Sequence, residues 1–408
     1  MLVLVINSGS SSLKFRLIEV AEETSGGFTT RPALLQGVVK GIGGAASFEV
    51  SGEHSGHVSK TFEVRDHAQA LHVLLDYLSG SPVRIEAVGH RVVHGGDRYV
   101  EPTLITDQVV AGIDSLSELA PLHNRFCLTG IREARAVFGS SLPMVAVFDT
   151  AFHHTIPEVA KHYALPADLA DRYRIRRYGF HGIAHASLAN GYAMCAGKPL
   201  EEVRLITLQL GNGCSVAAIA QGRSVETSMG FTPLEGLVMG TRSGDVDASI
   251  VSYLSRKEKV EAAEVERWLN ERSGLLGLSG RSNDMRELLH LAGDEQNKRA
   301  EFAIDVFCYR VRKYLGTYLA VLGGADAIVF GGGIGENAPE IRDRVCRNMK
   351  WCGLTLDPDR NRVTVGLTSG NAAKISVDES RLAAYVVAVD EETLIARETV
   401  RCVRAACS

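Results

Sequence analysis

The sequence predicts a duplicated α/β protein, and three observations carry that prediction. An apolar run enters a Gly/Ser/Asn turn and leaves it as a second strand near the start of the chain; the same pattern returns about two hundred residues later; and a third apolar run enters a glycine cluster followed by a helix. In the first copy, residues 2–6 (LVLVI) form a continuous apolar run suited to a buried strand, residues 7–12 (NSGSSS) a small-residue turn, and residues 13–18 an alternating strand. In the second, residues 203–210 (VRLITLQL) lead into 211–215 (GNGCS), then 216–220 and another turn at Gln221, Gly222 and Arg223. Aligning Ser12 with Ser215 superposes the two turns without a gap, and the repeat implies one such turn from each half facing a common cleft. In the third, residues 325–330 (ADAIVF) precede 331–337 (GGGIGEN), and a helix follows with Asn337 as its cap, Pro339 in its first turn and Glu340 three residues on.

Turns of this composition suit phosphate. Small side chains let backbone N–H groups approach an anion, Ser and Asn add donors, and Lys14 adds a positive charge beside the first turn. Each turn alone also fits an ordinary hairpin, and the pairing is what favours a nucleotide. Strand, glycine turn and helix at 325–340 is a nucleotide-binding topology, yet it lacks GxGxxG spacing, and no GxxxxGK[ST] loop exists. Residues 191–199 (GYAMCAGKP) come near it but carry one residue too many and Pro in place of the magnesium-binding hydroxyl.

The 408 residues, 45% hydrophobic and 23% charged with 41 Gly against 11 Pro, suffice for two large domains with full cores. A net charge of −4 gives no general attraction to nucleic acid or anionic lipid. No apolar run reaches the length of about 18 residues that a membrane span needs, and no basic segment precedes the apolar N-terminus, so a cytoplasmic protein is expected. Eight scattered cysteines without CxxC or zinc spacing read as reduced thiols.

Carboxylates follow two apolar strands: Asp149 after 144–148 (MVAVF) and Glu391 after 385–389 (YVVAV). Strand C-terminal ends are where open α/β sheets bind ligands, so both are candidates to hold magnesium. Capping the following helix is the alternative for Glu391. Arg91 in GHRVVHGG and Arg242 in GTRSGD are fixed cations in glycine-bounded segments, matched to carboxylate or phosphoryl oxygens. His90/His94 and His181/His185 are four apart without a Glu or a third ligand, so hydrogen-bonding roles are expected for His90, His94 and His185. His181, in the turn YGFHG, and His123, in PLHN, stand apart from these. The basic run 172–177 (RYRIRR) reads as a solvated strand face, and residues 297–322 as a helix with Phe307, Val311, Tyr314, Tyr318 and Leu322 on its core stripe.

Taken together, VINSGSSSLKF (5–15), HRVVHGG (90–96), APLHN (120–124), FDTAFH (148–153), RRYGFHG (176–182), LGNGCS (210–215), ETSMGFTPLEGLVMGTRSGDVD (226–247), SGLLGLSGRSNDMR (273–286) and GGGIGEN (331–337) resemble the acetate/propionate kinase family. That family lies within the acetate and sugar kinase/Hsp70/actin superfamily. The resemblance implies duplicated ribonuclease H-like (actin-like ATPase) domains flanking a nucleotide cleft, the first from 1–150 plus 392–408 and the second from 151–391. It implies ATP or ADP as co-substrate, Mg²⁺ with Mn²⁺ as a substitute, acetate as acceptor and a homodimer. By position, Asn7, Ser10, Ser12 and Lys14 form the first phosphate loop, and Asn212 and Gly213 the second. Arg91, Asp149, His181 and Arg242 surround the transferring phosphoryl group with His123 nearby, and Asn7 and Glu391 place the magnesium. Gly332, Gly333, Gly335 and Asn337 meet the nucleotide, and Asp284 and Arg286 lie by the adenine. Val93, Leu122, Phe180 and Pro233 line the pocket for the acetate methyl group.

Three positions depart from the family pattern: Gln209 for a common His, Arg125 for the Pro after PLHN, and Gly331 for a Thr. Propionate is the nearest alternative substrate, and an actin-like nucleotide-switched filament the alternative of another class.

Overall fold

In the computed structural model the described residues are 1–9, 12–22, 27–52, 56–79, 84–118, 124–293 and 296–407. Ser10, Leu122 and His123, three of the candidates above, lie outside them. The chain divides into two compact units, Met1–Ala151 with Asp390–Ser408, and Phe152–Val389. The second crossing comes before Asp390, so Glu391, assigned from sequence to the second domain, is carried by the first.

The first unit contains β1 (Leu2–Ser8), β2 (Ser12–Glu22), β3 (Phe28–Thr30), β4 (Leu35–Lys40), β5 (Gly44–Gly52), β6 (Gly56–Val64), β7 (Ala87–Val92), β8 (Thr103–Leu104) and β9 (Met144–Phe148). They form one sheet in the order β6-β5-β4-β2-β1-β7-β9-β8, with β3 paired to β2. β1 runs antiparallel to β2 and parallel to β7, which runs parallel to β9. Leu4 and Ile6 of β1 join a core with Phe15, Phe48, Leu71 and Ala134. Val3 and Val5 are equally buried, and the C-terminal helix Glu391–Cys407 packs on β1, β7 and β9. Burial on both faces is why β1 reads as an unbroken apolar run. At β7 the helix comes so close that a Cβ on Gly89 would lie 2.4 Å from Thr399 Oγ1.

The second unit repeats this core. β10 (Arg204–Leu210), β11 (Cys214–Ala220), β12 (Arg223–Thr227), β13 (Ala327–Gly331), β14 (Ala372–Lys374) and β15 (Ala383–Val387) are ordered β12-β11-β10-β13-β15-β14. β10 is antiparallel to β11 and parallel to β13, and β13 is parallel to β15. The helix Gly182–Ala196 packs Leu188, Ala189 and Tyr192 against Leu205, Val329 and Val387. The helix Lys298–Leu322, capped by Asn297, buries Phe307, Val311, Tyr318 and Leu322 of the expected stripe, with Tyr314 half buried.

The two hairpins are not superposable without a gap. The last pair of the first, Ser8–Leu13, encloses residues 9–12, whereas that of the second, Leu210–Cys214, encloses 211–213. The first turn is thus one residue longer. Two other expectations are corrected. The basic run is no strand: a helix ends at Tyr173, Arg174 turns left-handed, and Arg177 is drawn inward to Glu235 at 2.7 Å and Glu226 at 3.4 Å. Asn337 does not cap the helix Pro339–Cys346; it ends a preceding helix, Gly332–Asn337, where its side chain donates to Gly333 O and accepts from Gly366 N.

Candidate active site

In the first unit, parallel strands that end side by side deliver Asn7, Arg91 and Asp149 to one place. Arg91 donates from Nη2 to Asp149 Oδ2 at 2.8 Å and from Nη1 to Asn7 Oδ1 at 3.4 Å. Its Nε lies 3.9 Å from Glu391 Oε2, which also accepts from Asn7 Nδ2 at 3.3 Å. Asp149 is 1% exposed and Arg91 half buried. The flanking carboxylates outweigh the burial of Arg91 and hold it charged beyond its ordinary range. Burial pushes the Glu391 carboxyl up to about 7; Asp149 and Glu392 add to this, while Arg91 and Lys14 oppose it.

Glu391 is free for this arrangement because Asp390 caps the helix in its place. Asp390 accepts from Thr393 N at 3.1 Å and from Thr393 Oγ1 at 2.8 Å, and pairs with Arg16 at 2.8 Å. The first turn is pinned by Gly9 N donating to Ser12 O and by His67 Nε2 at Gly9 O, with Lys14 exposed beyond it. Val93 is buried, and His90 and His94 are buried beside it. Burial holds the imidazole of His90 down to about 3 and that of His94 to about 4, so both are neutral near pH 7.

In the second unit, Arg242, His181 and the turn Gly211–Gly213 come together. A Cβ on Gly213 would lie 3.3 Å from His181 Cε1, 3.4 Å from its Nε2 and 3.8 Å from Arg242 Nη1. Gly240 N donates to Asn212 O at 2.8 Å, tying the arginine loop to that turn, and Asn283 Nδ2 donates to Asn212 Oδ1. Arg242 donates to Pro233 O at 3.0 Å, and among the described residues no carboxylate lies within ion-pair distance of it. Burial, opposed only in part by the Cys214 thiol, lowers its hold on the proton. A half-buried guanidinium bonded to a neutral carbonyl is a site that an anion would complete.

His181 occupies the N-cap of Gly182–Ala196 with φ of 59°, a left-handed conformation that a non-glycine residue adopts at a cost. Phe180 before it is 2% exposed, and its carbonyl meets His153 Nε2 at 3.0 Å.

The third cluster begins at Gly331. A side chain there would strike Leu188, whose Cδ2 lies 2.3 Å from a built Cβ, so Leu188 fills the space that the usual Thr would need. Gly332 has φ of +74° and backs onto Leu210 O at 2.6 Å from its Cβ position; around Gly333 the same position is open. Glu336 Oε1 accepts from Gly332 N and Val389 N, and buried Arg342 donates to the carbonyls of Gly335 and Glu336. Asp284 and Arg286 pair with each other at 2.7 Å on the surface. Of the other two departures, Gln209 has a buried Oε1 without a hydrogen bond, and Arg125 is exposed in the first turn of Asn124–Phe138.

Sequence reasoning missed Asp390, Glu336, His153, Thr207 and Ser215. For the last two a sequence signal existed: each is a hydroxyl flanked by apolar residues within a strand run, LITLQ around Thr207 and CSVAA around Ser215.

Known proteins resemble this chain over nearly its whole length. The Acetokinase family pattern matches residues 2–397. An acetate kinase of Solibacter usitatus is 49% identical over 98% of both chains, and one of Halothermothrix orenii 46% over 99% of this chain and all of its own. Two crystal structures, an acetate kinase of Porphyromonas gingivalis and a propionate kinase of Francisella tularensis, each superpose with a TM-score of 0.88 at 37% identity, over 98% of this chain and 99% of theirs. The two units have the duplicated actin-like ATPase fold of those kinases, and the chain belongs to the acetokinase family.

Proposed function

We propose that this protein transfers the γ-phosphoryl group of ATP to acetate, reversibly, giving acetyl phosphate and ADP. The observation that carries the reading is the meeting of Arg242, His181 and the Gly211–Gly213 turn, an acid-free cluster of cation and donors. Acetate is ionised at neutral pH and needs no base to attack phosphorus; the obstacle is bringing two anions together and spreading charge over an in-line transition state. Arg91, oriented by its bond to Asp149, holds the acetate carboxylate and an equatorial oxygen. Arg242 and His181 donate to phosphoryl oxygens, and N–H groups of the two hairpin turns, with Ser12 and Lys14 at the first and Asn212 and Gly213 at the second, hold the other phosphates. The glycine helix Gly332–Asn337 meets the nucleoside, with Asp284 and Arg286 by the adenine.

The residues around Arg91 suit Mg²⁺. Asn7 Oδ1, Asp149 and Glu391 are hard oxygen donors, and a carboxyl raised to about 7 by burial and like charge is one that a cation would keep ionised. Asn7 and Glu391, with Asp149, would hold the ion directly or through water; when bound, it neutralises phosphate charge. Among the described residues no cluster of three His, Cys, Asp or Glu could cage a metal. Mn²⁺ would serve similarly. A homodimer in the cytoplasm completes the proposal, and its support is the family resemblance; no described helix is long and apolar enough to cross a membrane.

Propionate is the competing acid, since one structure superposing equally well is a propionate kinase. One methylene is worth about 1–3 kcal/mol in such a pocket, here assigned to Val93, Leu122, Phe180 and Pro233. The test is acyl phosphate trapped as hydroxamate with Mg-ATP and acetate, propionate or butyrate, against an acid-free ATPase control. Fastest product from acetate is expected; a propionate preference changes the acid and keeps the mechanism, and no product from any acid refutes the reading.

A further inference from the structure

We propose that Thr207, His185 and Ser215 form a one-way hydrogen-bond chain that keeps the His181 proton on Nε2, which makes Thr207 and Ser215 positioning residues for phosphoryl transfer. The inference rests on the proposed donor role of His181.

The chain is continuous. Thr207 Oγ1 lies 2.8 Å from His185 Nδ1, His185 Nε2 lies 2.8 Å from Ser215 Oγ, and Ser215 Oγ lies 2.9 Å from His181 Nδ1. Thr207, His185 and Ser215 are each 0% exposed. Burial drives the pKa of His185 well below its usual value, so its ring is neutral and carries one proton. Each hydroxyl also carries one proton, and among the described residues each has no side-chain partner besides these imidazoles.

One arrangement gives every buried proton an acceptor. Thr207 O–H donates to His185 Nδ1, His185 Nε2–H donates to Ser215, and Ser215 O–H donates to His181 Nδ1. If His181 instead carried a proton on Nδ1, Ser215 would have to accept it. Its own proton would then turn to His185 Nε2, His185 would be protonated on Nδ1, and the Thr207 proton would be left without an acceptor in a dry interior. Were both imidazoles to donate to Ser215, the serine proton would be stranded. A buried donor left without an acceptor is costly enough to fix the direction.

The direction matters because of where the ring ends point. Nδ1 faces Ser215, whereas Nε2 faces Gly213, beside Arg242. The chain therefore presents an N–H, and not a lone pair, to the place where phosphoryl oxygens would sit. The ring is further fixed by the strained φ of His181 and by His153, which must donate from Nε2 to the Phe180 carbonyl and so accepts on Nδ1 from Ser224 Oγ at 2.8 Å.

The experiment is long-range ¹H–¹⁵N spectroscopy of histidine-labelled protein, with the His181 ring assigned by its loss in His181→Asn, alongside steady-state kinetics. The wild type should show His181 protonated on Nε2. Thr207→Val, three hydrogen bonds removed from His181, should mix its tautomers and lower kcat about tenfold with both KM values held, short of the hundredfold expected when a donor itself is lost. Thr207→Ser should restore the wild-type pattern, and Ser215→Ala should act as Thr207→Val does, more strongly. His181 found protonated on Nδ1 in the wild type overturns the proposal. So does a fall in kcat in Thr207→Val with the tautomer unchanged, or no change in either. Full activity in His181→Asn instead refutes the donor role and leaves the tautomer readout standing.

Discussion

Arg91 and Arg242 show how two identical side chains are given different tasks by their neighbours. Arg91 is held by Asp149 and flanked by Glu391, so its direction is fixed, while Arg242 is held by a carbonyl and keeps its charge unanswered. Replacing either by Ala should lower turnover by about a hundredfold or more, the scale of one lost transition-state donor, and near-normal kcat in either variant removes it from the mechanism. Lys at Arg91 should recover little, because a point charge lacks the planar fork that serves Asp149 and a substrate oxygen together. A second consequence at this scale is pH dependence. His90 titrates near 6.5 when unfolded and, by burial, at about 3 when folded. Between these values the unfolded chain binds more protons, so stability is complete above about pH 6.5 and declines as pH falls, by up to about 1.4 kcal/mol per unit. Urea midpoints should follow that slope, and His90→Leu should flatten it; an unchanged slope would show that His90 is not the group responsible.

Among the elements, the C-terminal helix is capped by a residue that also forms an ion pair. Asp390 takes the amide and hydroxyl of Thr393 and the guanidinium of Arg16, which leaves Glu391, the next residue, to face Arg91. Asp390→Ala should destabilise by about 1–2 kcal/mol, and Asp390→Asn, which keeps the cap, by less; equal losses from both would assign the effect to the Arg16 pair. The glycine helix Gly332–Asn337 depends on a backbone that side chains rarely adopt. Gly332→Ala combines φ of +74° with a Cβ 2.6 Å from Leu210 O, so it should cost about 1 kcal/mol or more and weaken ATP binding measured by calorimetry. Unaltered affinity would detach this helix from the nucleotide. These elements were legible to different depths. The apolar runs of β1 and β10 are visible because strands buried on both faces need continuous hydrophobicity. The helix within GGGIGEN is not visible, because glycine disfavours helix and only Glu336 and Arg342, bonding both ends of the segment, make it one.

The whole molecule contains two compact units with separate cores, which predicts unfolding that is not a single concerted step. The two tryptophans, Trp268 and Trp351, both belong to the second unit. Tryptophan emission should therefore report that unit, while far-ultraviolet dichroism reports both, and the two urea transitions should not coincide. Coincident curves would show that the units unfold together.

What the sequence by itself determined is the repeated strand–turn–strand core, the long helix Lys298–Leu322 and the residue types of the site, because hydrophobic period, turn chemistry and charge are local properties written in consecutive residues. Which partner each site residue takes was decided by tertiary structure. That Asp390 and not Glu391 caps a helix, that Leu188 fills the space above Gly331, and that Thr207, His185, Ser215 and His181 join end to end all depend on residues far apart in the chain. Hydrogen bonds act over about 3 Å, and only the packed sheets bring those atoms to that distance.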